Sequence, residues 1–142
     1  MKRIGIFLLL FSSLAWADTW ATHTDKHGVC TFLTPKNWQK DSIFIVQPDG
    51  HARVSVISGA YTPAMITQAT AGFKKKILEQ DANHVLYRIE ITGTLRAFAT
   101  LEYYQAIFKD KQGCIARSNT DLKNPVPLEG LLRQIVSGVK FK

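Results

Sequence analysis

The sequence has little with which to do covalent chemistry. It contains no G-x-S-x-G, no H-E-x-x-H and no glycine-rich phosphate loop, the local patterns that place a nucleophile, a zinc pair or a phosphate cradle. Its eleven Asp and Glu are scattered, which argues against the paired carboxylates of a glycosidase. Four histidines form no compact cluster, and two cysteines allow a single pairing. There is no internal repeat, low-complexity tract or linker. The longest apolar run covers about eleven residues, roughly 16 Å as a helix, against the ~30 Å core of a bilayer. These absences point away from an enzyme and imply no cofactor.

That apolar run sits at the N-terminus. Lys2 and Arg3 precede Ile4 to Leu14, a stretch broken only by Gly5 and Ser12–Ser13, and Ala15-Trp16-Ala17 puts small residues at −3 and −1 before Asp18. This is the pattern of a secretory signal peptide over residues 1–17, cleaved after Ala17. It predicts an exported protein, periplasmic or secreted, with no transmembrane segment after processing. No cysteine follows the cleavage site, which excludes lipid attachment there. Residues 18–142 then make one domain with enough apolar residues for a core. Of eighteen Lys and Arg, two belong to the leader, leaving sixteen against eleven acidic residues, a net +5. Such an excess favours anionic phospholipid, lipopolysaccharide or acidic glycan, and no specific nucleic acid.

Export places Cys30 and Cys114 where disulfides persist. A bridge, two separated free thiols and a catalytic thiol all remain open from the sequence. A bridge closing about 85 residues would contribute at most roughly 4–5 kcal/mol.

Strands are expected at Thr19–Thr24 and Val29–Leu33, joined by Asp25-Lys26-His27-Gly28, then at Ser42–Val46 and Arg53–Ser58 across the Pro48-Asp49-Gly50 turn. Thr62 as N-cap and Pro63 at the first position announce a helix, with Ile66, Ala69, Phe73 and Ile77 as its stripe and a stop near Gln80. Lys74, Lys75 and Lys76 would fan around its solvent side. Val85, Tyr87, Ile89 and Ile91 alternate with His84, Arg88, Glu90 and Thr92, a strand with one buried face. Leu95–Phe108 and Cys114–Thr120 follow as a hairpin about Asp110-Lys111-Gln112-Gly113, with Arg88, Glu90, Arg96 and Glu102 decorating the wet face. Leu128, Leu131, Leu132, Ile135, Val136 and Val139 then repeat as the apolar face of a closing helix. The fold class is α+β, an antiparallel sheet of about six to seven strands flanked by two helices.

Few residues stand out as sites. His23, Asp25 and His27 would offer two imidazoles and a carboxylate to Zn²⁺ or Cu²⁺ on a continuous strand, but the turn at Asp25–Gly28 breaks that face and leaves a polar hairpin tip. Cys30, His51 and His84 could approach one another, yet nothing local marks a nucleophile. Lys74, Lys75, Lys76, Arg88 and Arg96 are candidates for anion binding. Trp20, Trp38, Tyr61, Tyr103 and Tyr104 are candidates for an interface or for core packing, and adjacent Tyr103 and Tyr104 must point to opposite faces of their strand.

The segment Gly28-Val29-Cys30-Thr31-Phe32-Leu33-Thr34-Pro35-Lys36-Asn37-Trp38 resembles the opening strand, proline and tryptophan of the PsbP-like family, the extrinsic photosystem II subunits and their bacterial relatives. Leu131 to Phe141 is similar to that family's closing helix and short tail, with Ser137-Gly138 departing from the aromatic that often follows the serine. The order of elements between agrees. The resemblance implies an antiparallel sheet flanked by helices and a non-catalytic role as a binding or adaptor subunit; it implies no photosynthetic role and carries over no site residues. The function expected is recognition of a protein or envelope component; the alternative is a secreted factor that binds anionic lipid or glycan through its basic surface.

Overall fold

The computed structural model describes residues 19–92, 99–121 and 126–142. The leader residues and Arg96 lie outside them. Strands β1 (Trp20–Thr24) and β2 (Cys30–Pro35) form a hairpin whose turn closes at Gly28, with φ of 71°, a value at which a side chain is strained. Next come β3 (Gln39–Asp41), β4 (Phe44–Val46), β5 (Ala52–Gly59), helix α1 (Pro63–Ala69), β6 (Lys75–Gln80), β7 (His84–Thr92), β8 (Ala99–Lys109), β9 (Gln112–Asp121), helix α2 (Val126–Ser137) and β10 (Lys140–Phe141). They build a seven-stranded antiparallel sheet in the order β3-β4-β5-β9-β8-β7-β6 and a three-stranded sheet in the order β1-β2-β10. The expected α+β architecture is thus present, with two helices among the described residues.

Helix α2 and the small sheet cover one face of the large sheet. Leu132, Ile135 and Val136 of α2 pack with Leu86, Val54, Ala116 and Leu101; Cys30 and Phe32 of the small sheet and Trp38 of the connection to β3 close the same core. Tyr103 reaches this side as well: its hydroxyl donates to Glu129 on α2 at 2.5 Å, and Arg88 donates to the same carboxylate at 3.1 Å. Burial, then the bond to Glu129, pushes the Tyr103 phenol up to about 12, so it remains a donor at neutral pH. Cys30 and Cys114 are joined by a disulfide, Cα to Cα 6.1 Å, which ties the small sheet to the central strand β9. The open choice among bridge, free thiols and catalytic thiol is thereby resolved in favour of the bridge.

Two sequence expectations need correction. The helix that begins at Thr62 ends at Ala69, and residues 75–80 form the edge strand β6, paired with β7. Ala69, Phe73 and Ile77 are four apart, and four is close to one helical turn but also two strand repeats, so the apolar spacing fits either period. Gly72 decides against continuation, because glycine in a helix interior costs roughly 1 kcal/mol relative to alanine. The Thr70 hydroxyl turns back onto the Ile66 carbonyl at 2.8 Å, and Gly72 lies in the turn that follows. Lys75 and Lys76 therefore alternate across a strand, with Lys74 just before it, rather than fan around a helix. The second correction concerns β7, which is buried on both sides: Leu86 faces α2 while Tyr87 faces the opposite side of the sheet.

The polar hairpin tip is held by Asp25. Its Oδ1 accepts from the Val29 and Cys30 N–H groups, both at 2.7 Å, and its Oδ2 accepts from the His27 N–H at 3.1 Å and the Ser58 hydroxyl at 2.5 Å. Burial pushes this carboxyl up, but the bonds from Ser58, Cys30, His27 and Val29 outweigh it and hold it below its ordinary value. A carboxyl lowered on folding stabilises the protein above its unfolded value, about 3.9, and ceases to do so as pH falls through the folded one. Asp25→Asn turns an amide N–H₂ toward donors and is expected to cost about 1–3 kcal/mol at neutral pH. The difference from wild type should shrink on acidification in urea unfolding curves; a constant difference across that range would reject this role.

Candidate binding groove

The other face of the large sheet is only partly covered. Its register lines up Tyr87 on β7 with Tyr104 on β8, Arg117 on β9, Ser55 on β5 and Phe44 on β4. The next row toward the β7 C-terminus carries Ile89, Glu102, Asn119 and Arg53. The row on the other side carries Val85, Ala106, Ile115 and Ile57. Short helix α1 lies over part of this surface and buries Ile66 in it. Between helix and sheet runs a groove of about 500 Å³, walled by Ile57, Ile66, Phe73, Ile89 and Ile115. At its rim Ile43 is 61%, Phe73 49% and Ile57 42% exposed.

Its floor is polar and internally paired. The Glu102 side chain is only 3% exposed and holds an ion pair with Arg117, which is 44% exposed. Tyr104 donates its hydroxyl to the second Glu102 oxygen at 2.7 Å. The Tyr87 and Tyr104 rings stack at 4.9 Å between centroids, 3° from parallel. Arg117 sits over the Tyr104 ring at 5.8 Å and the Lys75 ammonium over the Tyr87 ring at 5.5 Å. Burial, then the charge of Glu102, pushes Tyr87 up to about 12 despite Arg117. Burial, then the bond to Glu102, raises Tyr104 as well. Both phenols stay protonated, and for Arg117 the partnership with Glu102 and Tyr104 outweighs burial and keeps the guanidinium charged.

Most of the residues singled out from the sequence lie elsewhere. Trp38 is 6% exposed and Tyr103 is buried against α2, so in this structure both pack in the core rather than on an open surface. Trp20 is half-buried against the same core. Tyr61 packs over the paired Gly59 and Gly113, where a Cβ on either would meet its ring or Cβ at 2.9 Å, and lines a second cleft between the two sheets. Ile43 and Ile57 wall both cavities. Tyr103 and Tyr104 do face opposite ways, and Tyr104 alone of the named aromatics reaches the groove floor. Glu102, expected on a wet face, is buried there because Arg117 and Tyr104 compensate it.

Of the anion-binding candidates, Lys74, Lys75, Lys76 and Arg88 line one shallow pocket together with Glu90, while their individual engagements differ. Lys74 and Lys76 are exposed, Lys75 turns to Tyr87 and donates to the Thr70 hydroxyl at 2.9 Å, and Arg88 is engaged by Glu129 and, at 3.6 Å, Glu90. His23 donates to or accepts from the Thr34 hydroxyl at 2.7 Å, and burial, then Lys40, lowers its pKa. Asp25 is enclosed by its four donors, and among the described residues no trio of His, Cys, Asp or Glu is placed to hold a metal ion. Cys30 is in the disulfide and offers no thiol, while His84 pairs with Asp81 at 2.8 Å. Sequence reasoning overlooked Arg117 and the wall isoleucines. The one available signal was Glu102-x-Tyr104, two groups on one strand face.

No protein-family model and no curated protein matches the sequence. Solved structures do match the backbone. It is similar to the solution structure of cyanobacterial PsbP (CyanoP) from Synechocystis sp. PCC 6803, with a TM-score of 0.55 and 12% identity over 87% of this chain and 93% of that one. The fold is PsbP-like. The Saccharomyces cerevisiae Ran-binding protein Mog1p is similar too, with a TM-score of 0.53 and 10% identity over 85% of this chain and 94% of that one. The PsbP-like resemblance expected from the sequence is thus borne out for the fold, and at such identity it transfers no groove residue.

Proposed function

We propose that this protein is an exported, non-catalytic binding domain that captures a protein or envelope component on the open face of its seven-stranded sheet. The observation that carries the reading is the groove itself, a concave apolar surface whose rim leaves Ile43, Ile57 and Phe73 in water. Contiguous exposed apolar surface of this kind marks interaction sites in folded proteins. Binding neighbours in the fold, such as the Ran-binding protein Mog1p, accord with it. Residues 1–17 carry the export part, and the Cys30–Cys114 disulfide accords with an oxidising compartment. The alternative, a basic surface for anionic lipid or glycan built from Lys74, Lys75, Lys76, Arg88 and Arg96, has less support, because Arg88 is held by two carboxylates and Lys75 turns toward the groove.

A photoreactive amino acid at Ile57, in protein expressed from Met1 in its native host, tests the reading. Adducts with an envelope molecule are expected in the osmotic-shock or culture fraction, on a chain beginning at Asp18, and far fewer from the same group at exposed Lys109. Cytosolic protein still beginning at Met1, or labelling no stronger from Ile57 than from Lys109, rejects it.

A further inference from the structure

We propose that the groove beneath α1 is a site for one acyl chain ending in an anionic group, the chain lying on the isoleucine walls and the head group at Arg117. This rests on the binding reading of the same sheet face and names the occupant. Three features select it.

The first is the hydrogen-bond inventory. Several of the polar groups that reach the groove are already paired: both Glu102 oxygens are taken by Tyr104 and Arg117, and the Thr70 hydroxyl donates to the Ile66 carbonyl while accepting from Lys75. The sheet backbone below is engaged in its ladders. A peptide laid in this groove would bring a regular series of N–H and C=O groups out of water against walls that are mostly isoleucine and phenylalanine, a penalty that native interfaces avoid. A hydrocarbon chain brings none. The second is charge. Arg117 borders the groove, Lys75 lies over Tyr87, and Arg53 lies over the Phe44 ring at 4.4 Å. The carboxylate among them, Glu102, is already committed, so the surroundings carry a positive excess that favours an anion. Of the three, Arg117 is the one that lines the groove, and the part of its half-exposed guanidinium fork not bonded to Glu102 can donate to an oxyanion. The third is size, since about 500 Å³ falls within the range of sites for small organic ligands.

The test uses the mature disulfide-bonded protein and titrates dodecanoate and dodecyltrimethylammonium, both below their micellar concentrations, by calorimetry. Saturable one-to-one binding of dodecanoate is expected, at least about tenfold tighter than the cation of equal chain length. Ile57→Glu should weaken dodecanoate at least about tenfold, whereas Ile57→Lys, with the same apolar loss and the opposite charge, should leave it within about threefold of wild type. Phe73→Glu and Phe73→Lys repeat the contrast should either Ile57 variant fail to fold. Vesicles of anionic phospholipid should bind no more tightly than the monomer. Failure of any one of these contrasts overturns the acyl assignment. If that happens while a photoreactive group at Ile57 still labels an envelope molecule, the binding reading stands and the occupant is of another class.

Discussion

Replacing Cys30 and Cys114 together by alanine is expected to lower the unfolding free energy by about 3–5 kcal/mol. The two cysteines are 84 residues apart in sequence, and in the chain-entropy model a cross-link closing a loop of that length restricts the unfolded chain by about 4.5 kcal/mol. Both are completely buried, so relaxation of the native state is limited and some packing is lost in addition. A domain of this size is typically stable by about 5–15 kcal/mol, which makes the bridge a large fraction of the total. The sheets are also joined by the shared core and by the Asp25–Ser58 bond, which the double variant leaves in place. Urea unfolding of the reduced wild type and of the double variant should show the same loss relative to the oxidised wild type. A loss under about 1 kcal/mol in both would show that the bridge constrains little.

The second large effect is expected at the groove floor. Arg117→Met leaves the Glu102 carboxylate, nearly inaccessible to water, without its cation, and breaking a buried pair in this way costs about 3–5 kcal/mol. The exposure of Arg117 means that the pair itself contributes far less than this; the penalty comes from the stranded carboxylate. Glu102→Gln added to Arg117→Met removes the charge while keeping an oxygen for the Tyr104 hydroxyl, and should recover most of the loss. Denaturation midpoints decide it, and a double variant no more stable than Arg117→Met would show that charge burial is not the cause.

The parts of the fold legible from residues alone are those written in local chemistry. The repeat Leu128, Leu131, Leu132, Ile135, Val136 places α2 correctly, because five apolar residues in one helical period have no strand reading. The turn at Asp25–Gly28 is marked by residue type in the same way. The hairpin about Asp110 was placed but made too long, since Asp110 and Lys111 themselves adopt positive φ and join β8 to β9 in two residues. Strand β6 was misread because a spacing of four serves two periods. Of the groove floor, the sequence shows only the Tyr87 face and the Glu102-x-Tyr104 spacing, not the pairing that joins them. Glu102 and Arg117 sit on different strands and meet only through the β8–β9 register, a long-range property that the alternation within either strand does not encode. The disulfide was undecided for the same reason: pairing requires two Cα atoms within about 7 Å, and chain separation says nothing of that.

Strand β10 pairs with β2 so that Phe141 lies opposite Cys30. A chain made at about 5–20 residues per second therefore keeps β2, with Phe32 and Leu33, waiting for several seconds before its closing neighbour exists. Throughout that interval the early hairpin is a naked template for any passing extended segment, and shielding it during synthesis falls to whatever escorts the nascent polypeptide.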